Sequence, residues 1–244
     1  MPKSTKRERQ RQNRDARREA MLEAEKRQRR LRTARNVGLL LIPLVIIFVI
    51  LQITNSDSSS SKSSSKAPAM TIDTKAKYTA TIDTSEGTIV VALDAAKYPT
   101  SVNNFVSLAK KGFYNGLLFN RVAKDFVIQT GSPDNTTAGG PGYTVKGEVP
   151  TSTPPYPLGS MAFAKSGAEP AGTAGSQFFI VTGSGASSLP ADYAGLGNVT
   201  QGLDVAQKIG QLYPASGDGK PTKDVTMKTV TISETPAATT TTKR

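Results

Sequence analysis

A single arginine, Arg121, stands in the apolar run Leu117–Val122 of a chain that contains no histidine and no cysteine. The run continues as FNRVAKDFVIQTG through Phe119–Gly131, and a second apolar run, GTAGSQFFIVTG, follows at Gly172–Gly183. Without imidazole or thiol there is no serine–histidine triad, no thiolate nucleophile and no Cys- or His-ligated metal. What remains is a permanent cation that can donate a charge-assisted hydrogen bond from an apolar setting. That suits a reaction needing no proton transfer, and rotation of the peptide bond before proline is such a reaction.

An X-Pro bond prefers trans by only about 0.5–1 kcal/mol but rotates over a barrier of about 18–20 kcal/mol, set by amide resonance. A donor to the localised lone pair of the twisted proline nitrogen lowers that barrier. An apolar pocket lowers it too, because the twisted amide is less polar than the planar one. A thousandfold acceleration needs about 4 kcal/mol, and one guanidinium hydrogen bond supplies about 1.5–3 kcal/mol of it. The pocket must supply the rest.

Arg121 is the expected donor. Gln177 and Phe179 lie two apart on the strand SQFFIVT and so share one sheet face, while Phe178 and Ile180 face the opposite way, toward a core. Val127 and Gln129 form a second same-face pair. Phe126 would need a twist or bulge to join them. The reading requires the guanidinium to face an apolar cleft; a carboxylate locked onto it would make it a structural arginine and undo the enzymatic role read from it.

Phe119-x-Arg121, then Phe126-Val127-Ile128-Gln129-x-Gly131, Met161-Ala162 and Ser176-Gln177-Phe178-Phe179-Ile180 resemble the cyclophilin family of peptidyl-prolyl isomerases. The likeness extends to TSVNNFVSLAKKGFYNGLLF, the glycine loop Ala138–Tyr143 and Leu196-Gly197-Asn198-Val199 with Gly202-Leu203-Asp204-Val205. It implies a closed eight-stranded antiparallel barrel with two helices and the active groove on its outer face. It also implies peptidyl-prolyl cis-trans isomerase activity (EC 5.2.1.8), no cofactor and no metal. By position, Arg121 is the catalytic arginine and Gln129 orients it. Phe126, Val127, Phe179 and Leu189 line the proline pocket, and Ala162, Phe163 and Gln177 contact the peptide backbone and its flank. Tyr193 takes the place of a frequent histidine. Three positions depart from the family pattern. Val127 is shorter than the usual methionine, Phe163 replaces a backbone-holding asparagine although its own backbone can still serve, and Ser188 replaces a tryptophan common in eukaryotic members, which would weaken cyclosporin binding more than turnover.

These residues need a scaffold, and residues 76–233 have the patterning for one. Tyr78–Asp83 alternates, Ser85-Glu86-Gly87 turns, and Thr88–Leu93 completes a hairpin. The spacing predicts a helix in SVNNFVSLAKKG capped by Thr100 or Ser101, with Val102, Phe105, Val106 and Ala109 on its inner face. Strands are expected at Leu117–Val122, Phe126–Thr130, Ser160–Ala164, Gln177–Thr182 and Val225–Ile232, with a short helix at Leu203–Ile209. The many short strands, two helices and Gly/Pro turns place the domain in an all-β class with two helices. Gly139, Gly140 and Gly142 lack the residues of a phosphate-binding loop and read as a turn, as does Asp218-Gly219.

The rest of the chain has a different character. Residues 1–35 hold 14 Lys/Arg against 5 Asp/Glu, a net of +9 out of the chain's +12. Val37–Ile53 carries no charge over 17 residues, the short end of a membrane-spanning helix. A cleaved signal peptide competes less well, since its charged region would be unusually long. The reading is a cytoplasmic basic arm at 1–35, a single-pass anchor at 36–53, a Ser-rich tether at 54–75, an extracytoplasmic isomerase domain at 76–233 and a disordered tail at 234–244. The arm suits anionic membrane lipids; it has no aromatic residue to stack on a base, so no nucleic-acid partner is expected. The Ser59-x-x-Lys62 and Ser63-x-x-Lys66 matches to a nucleophile motif follow from low complexity. The expected partners are unfolded or extended proline-containing polypeptides, and the expected state is a monomer in the cell membrane. The alternative is a tethered chaperone or proline-peptide-binding module without turnover.

Overall fold

The computed structural model describes residues 66–237; the basic arm, the apolar run Val37–Ile53, most of the tether and the end of the tail lie outside the described residues. Among the described residues no helix is long and apolar enough to cross a membrane.

The chain begins with a hairpin, β1 (Lys77–Thr84) and β2 (Gly87–Leu93), joined by a two-residue turn at Ser85-Glu86. Gly87 is required there: it has φ 138°, and a Cβ would lie 2.9 Å from the Val205 side chain. On β1 every second residue is buried, placing Tyr78, Ala80, Ile82 and Thr84 inward. Helix α1 (Pro99–Lys110) follows. Its start differs from expectation, because neither Thr100 nor Ser101 caps it. Instead the distant Glu148 carboxylate accepts from the Thr100 and Ser101 N–H groups at 3.0 and 3.3 Å. That satisfies two of the N-terminal donors an α-helix leaves unpaired. Burial opposes ionisation of Glu148, but these bonds prevail and hold its carboxyl below the usual range.

Then come β3 (Arg121–Ala123), β4 (Val127–Thr130), β5 (Val145–Lys146), β6 (Ser160–Phe163), β7 (Thr173–Ala174), β8 (Phe178–Val181), β9 (Gly195–Gln201), helix α2 (Leu203–Gly210), β10 (Asp218–Gly219) and β11 (Met227–Thr235). One antiparallel nine-stranded sheet has the order β10-β3-β4-β8-β6-β9-β2-β1-β11, and β5 and β7 form a separate ribbon. The eight-stranded closed barrel is thus not what the pairing displays. The sheet has two end strands, β10 and β11. An isolated bridge, Leu118–Thr226, joins the segment entering β3 to the segment entering β11, with Phe119 N–H donating to Val225 O and Met227 N–H to Leu117 O. The expected strand Leu117–Val122 shrinks to β3 because Leu117–Phe119 bonds toward β11 while Asn120 N–H turns to Gln129 O.

The core lies between the sheet and α1. Phe105 stacks on Tyr114 at 5.0 Å, and both meet the edge of Phe178 at 5.5 Å. The last stretch assigned to the tether belongs to this domain: Ile72 joins the core, and Asn103 on α1 holds Thr71 N–H and Ala69 O at 2.8 and 2.9 Å.

Candidate active site

Alternation on three adjacent strands builds the site. On β8, Phe178 and Ile180 enter the main core, whereas Phe179 and Val181 point to the other face. On β4, Ile128 goes inward while Val127 joins Phe179. On β6, Ala162 joins them while Met161 and Phe163 go to the core. The outer face therefore carries its own apolar cluster: Val127, Tyr156, Ala162, Phe179, Val181 and Ala186, flanked by half-buried Phe126, Ala164, Leu189 and Tyr193. All the expected proline-pocket residues are in it. Phe163 is not. Its side chain is fully buried on the opposite face, as strict alternation from Ala162 dictates, which leaves its backbone as the part of Phe163 open to a peptide role.

Phe126 reaches the outer cluster through the turn that strict alternation lacked. Asp125 adopts φ 52°, a left-handed conformation uncommon outside glycine, and the chain re-enters β4 with Phe126 outward. Phe126 O then accepts from both Thr182 N–H and Gly183 N–H, as in a bulge. The same Asp125 carboxylate accepts from Ser184 N–H and Oγ–H, both at 3.0 Å. It thereby anchors the 3₁₀ turn Ser184–Ser188 and the Leu189 that follows.

Tyr156 belongs to the same outer cluster and was not foreseen, because its setting among prolines gives no periodic signal. Its hydroxyl donates to Tyr193 O at 2.7 Å and accepts from Tyr193 N–H at 2.8 Å. Burial pushes its pKa up to about 12. The Tyr193 ring meets Phe179 edge-on at 5.4 Å. Lys165, only 4% exposed, spans the rim: Nζ is 2.8 Å from Asp192 and donates to Glu169 O at 3.0 Å. It also lies 5.5 Å from the Tyr193 ring centroid.

Beside this cluster runs a polar chain. Arg121 and Gln129 sit opposite each other in register on β3 and β4. Arg121 Nη1 donates to Gln129 Oε1 at 3.3 Å, Gln129 Nε2 donates to Gln177 Oε1 at 2.9 Å, and Gln177 Nε2 donates to Gly139 O at 2.8 Å. Buried Asn120 adds a 3.2 Å bond to Gln177 Oε1. The glycine loop is thus a turn, as expected, whose Gly139 carbonyl anchors the chain. A Cβ on Gly139 would lie 2.2 Å from Asp134 Oδ1.

The expectation of an unpaired cation is corrected here. Asp218 accepts from Arg121 Nε and Nη2 at 2.8 and 2.7 Å, a bidentate fork. The pair is partly exposed, the side chains at 23% and 43%. The fork and Gln129 use three of the guanidinium's five N–H donors, so two remain for a ligand.

A protein-family model described as "Cyclophilin type peptidyl-prolyl cis-trans isomerase/CLD" matches residues 79–232. The chain belongs to this family. It is 42% identical over 134 residues to a peptidyl-prolyl cis-trans isomerase of Helicobacter pylori, covering 54% of this chain and 80% of that protein. It is 35% identical over 174 residues to a probable peptidyl-prolyl cis-trans isomerase B of Mycobacterium leprae, covering 64% of this chain but only 57% of that longer relative. Among solved structures, a cyclophilin-type peptidyl-prolyl cis-trans isomerase of Cryptosporidium parvum superposes with a TM-score of 0.59 at 27% identity, over 66% of this chain and 99% of that one. The described domain is thus a cyclophilin-like all-β fold with two helices, and the chain is a peptidyl-prolyl cis-trans isomerase of the cyclophilin type.

Proposed function

We propose that this isomerase seats proline in the apolar cluster of Phe126, Val127, Ala162, Phe179, Leu189 and Tyr193, and that Arg121 donates to the proline nitrogen as the amide twists. The observation that carries this is the adjacency of a separate apolar cluster on the sheet's outer face to a guanidinium with donors to spare. Gln129 orients Arg121, and Gln177, itself held by Gly139, fixes Gln129. Gln177 also flanks the peptide. The substrates are extended or unfolded polypeptides with an accessible X-Pro bond. The apolar run Val37–Ile53 anchors the chain in the cell membrane with the basic arm on the cytoplasmic side, against anionic lipid, and the isomerase domain outside. There it acts as a monomer on exported proteins.

The Asp218 fork favours a second reading, a module that binds proline peptides with Arg121 serving structure alone. Exchange NMR on a blocked peptide with one Ala-Pro bond separates the two, because a pure binder shifts resonances without adding cis–trans exchange. With the full chain in non-ionic detergent, Arg121→Ala is expected to cut the exchange rate about ten- to a hundredfold, the equivalent of one charged hydrogen bond. The circular-dichroism spectrum should stay unchanged. Undiminished exchange in that variant would remove Arg121 from the reaction.

A further inference from the structure

We infer that Asp218 is a positioning residue for isomerisation, holding the Arg121 guanidinium in the one orientation that serves the twisted amide; this rests on the reading of Arg121 given above. A long side chain at a groove edge, 23% exposed, needs more than one contact to stay in place. Gln129 supplies a single bond of 3.3 Å. Asp218 supplies two, at 2.8 and 2.7 Å, on the Nε–Nη2 edge. A bidentate carboxylate fixes the guanidinium plane as well as its position.

The backbone places this carboxylate deliberately. β10 pairs with β3 so that Asp218 lies opposite Ala123 and Gly219 opposite Val122. Arg121 is two residues from Ala123 and therefore on the same face, the diagonal position that long side chains reach across. The loop is tied on both sides: Lys124 N–H donates to Gly217 O at 2.8 Å, Gly217 N–H to Pro214 O at 2.8 Å, and Ser216 Oγ–H to Asp218 O at 3.0 Å. Gly217, with φ 84°, permits the turn.

Two opposing effects decide the sign. A carboxylate on the guanidinium weakens its remaining donors slightly. A loose guanidinium misplaces them, and an error of about 1 Å in a catalytic group costs on the order of a hundredfold. Geometry dominates, so removing Asp218 lowers the rate.

The test uses the full chain in non-ionic detergent, with exchange NMR at saturating blocked Ala-Pro peptide and a separate titration for Kd. Asp218→Ala is expected to slow exchange about tenfold while Kd and the thermal midpoint hold. Asp218→Asn, which keeps the shape and one acceptor, should fall between. Raising the salt should slow the wild type, by screening a partly exposed pair, and leave Asp218→Ala unaffected. In the double variant Arg121→Ala/Asp218→Ala, exchange should equal that of Arg121→Ala alone, because Asp218 acts only through Arg121. Wild-type exchange in both Asp218 variants would overturn the inference while a defective Arg121→Ala left the parent reading standing. Full exchange in Arg121→Ala would overturn both. If Asp218→Ala fails to fold, Asp218→Asn and the double cycle built on it give the same decision.

Discussion

Phe178 and Phe179 are neighbours in sequence and belong to different parts of the molecule. Phe178 is sealed between Phe105 and Tyr114 in the main core. Phe179 lies in a small cluster on the outer face, against Tyr156 at 5.9 Å and Tyr193 at 5.4 Å. The main core lies between the strands and both helices, α2 contributing Ala206 and Ile209. The outer cluster is bounded on one side by the loop Ser184–Tyr193, which is held by a few contacts: the carboxylate and carbonyl of Asp125 at one end, and Tyr156, Lys165 and the Gly172 N–H bond to Asp192 O at the other. One region spends its apolar surface on stability. The other keeps part of its surface available, and a small set of polar contacts gives that surface its shape.

The largest test of this contrast is a pair of truncations one residue apart. Phe178→Ala should destabilise the fold by about 3–5 kcal/mol, the usual cost of a buried phenylalanine, read as a shift in the chemical-denaturation midpoint. The molecules that remain folded should keep normal exchange on Ala-Pro peptide. Phe179 is only 4% exposed and packs on the Tyr156 and Tyr193 rings, so Phe179→Ala should also cost stability. Unlike Phe178→Ala, it should in addition reduce isomerisation tenfold or more in the molecules that remain folded. Equal stability costs and equal activities would erase the distinction between the two clusters.

A smaller effect sharpens it. Tyr156→Phe keeps the ring but removes a hydroxyl that bonds both backbone groups of Tyr193. Each lost bond is worth about 1 kcal/mol, so the denaturation midpoint should fall slightly. The main readout is peptide affinity: Kd should rise several-fold as Tyr193 and Leu189 lose their fixed placement. An unchanged Kd would show that the loop holds its shape without Tyr156.

Which parts were legible in the sequence follows from the range of the interactions. Alternation is local, so β1, β2, the opposed faces of β8 and the pairing of Val127 with Gln129 could be read directly. The same rule applied from Ala162 assigns the Phe163 side chain to the core, where the packing places it. Phe126 could not be placed, because its direction depends on the backbone of Asp125. The strand β9 was missed as a strand because Gly195 and Gly197 lower its β-propensity. Those glycines are there for contact: a Cβ at Gly197 would fall 2.0 Å from Ala92 O. Glu148 and Asp218 act on residues 47 and 97 positions away. Pairings of that separation leave no local pattern, which is why the sequence offers Thr100 or Ser101 as a cap and Asp218 as only a turn.

The smallest expected effect lies on the far side of the comparison, where a titrating group supports the fold without reaching the pocket. Glu86, in the β1–β2 turn, is 6% exposed and meets Lys208 of α2 at 2.9 Å and Lys223, which donates to its other oxygen. The hydrogen bonds from Lys223 and Lys208 lower its pKa from the usual 4.5 to about 2. A carboxyl depressed in the folded state stabilises fully above its unfolded pKa and loses that contribution as pH falls through the folded value. The thermal midpoint should therefore decline between about pH 4.5 and about pH 2. Glu148 and Asp134, also held low, contribute in the acid range, so the informative quantity is the difference between wild type and Glu86→Gln. That difference should be present at pH 6 and shrink toward zero near pH 2. Peptide affinity at pH 6 should be the same in both proteins, since Glu86 touches no residue of the outer cluster. A weakened Kd in Glu86→Gln would mean that the hairpin turn and the pocket are coupled, and the separation drawn between the two regions would fail.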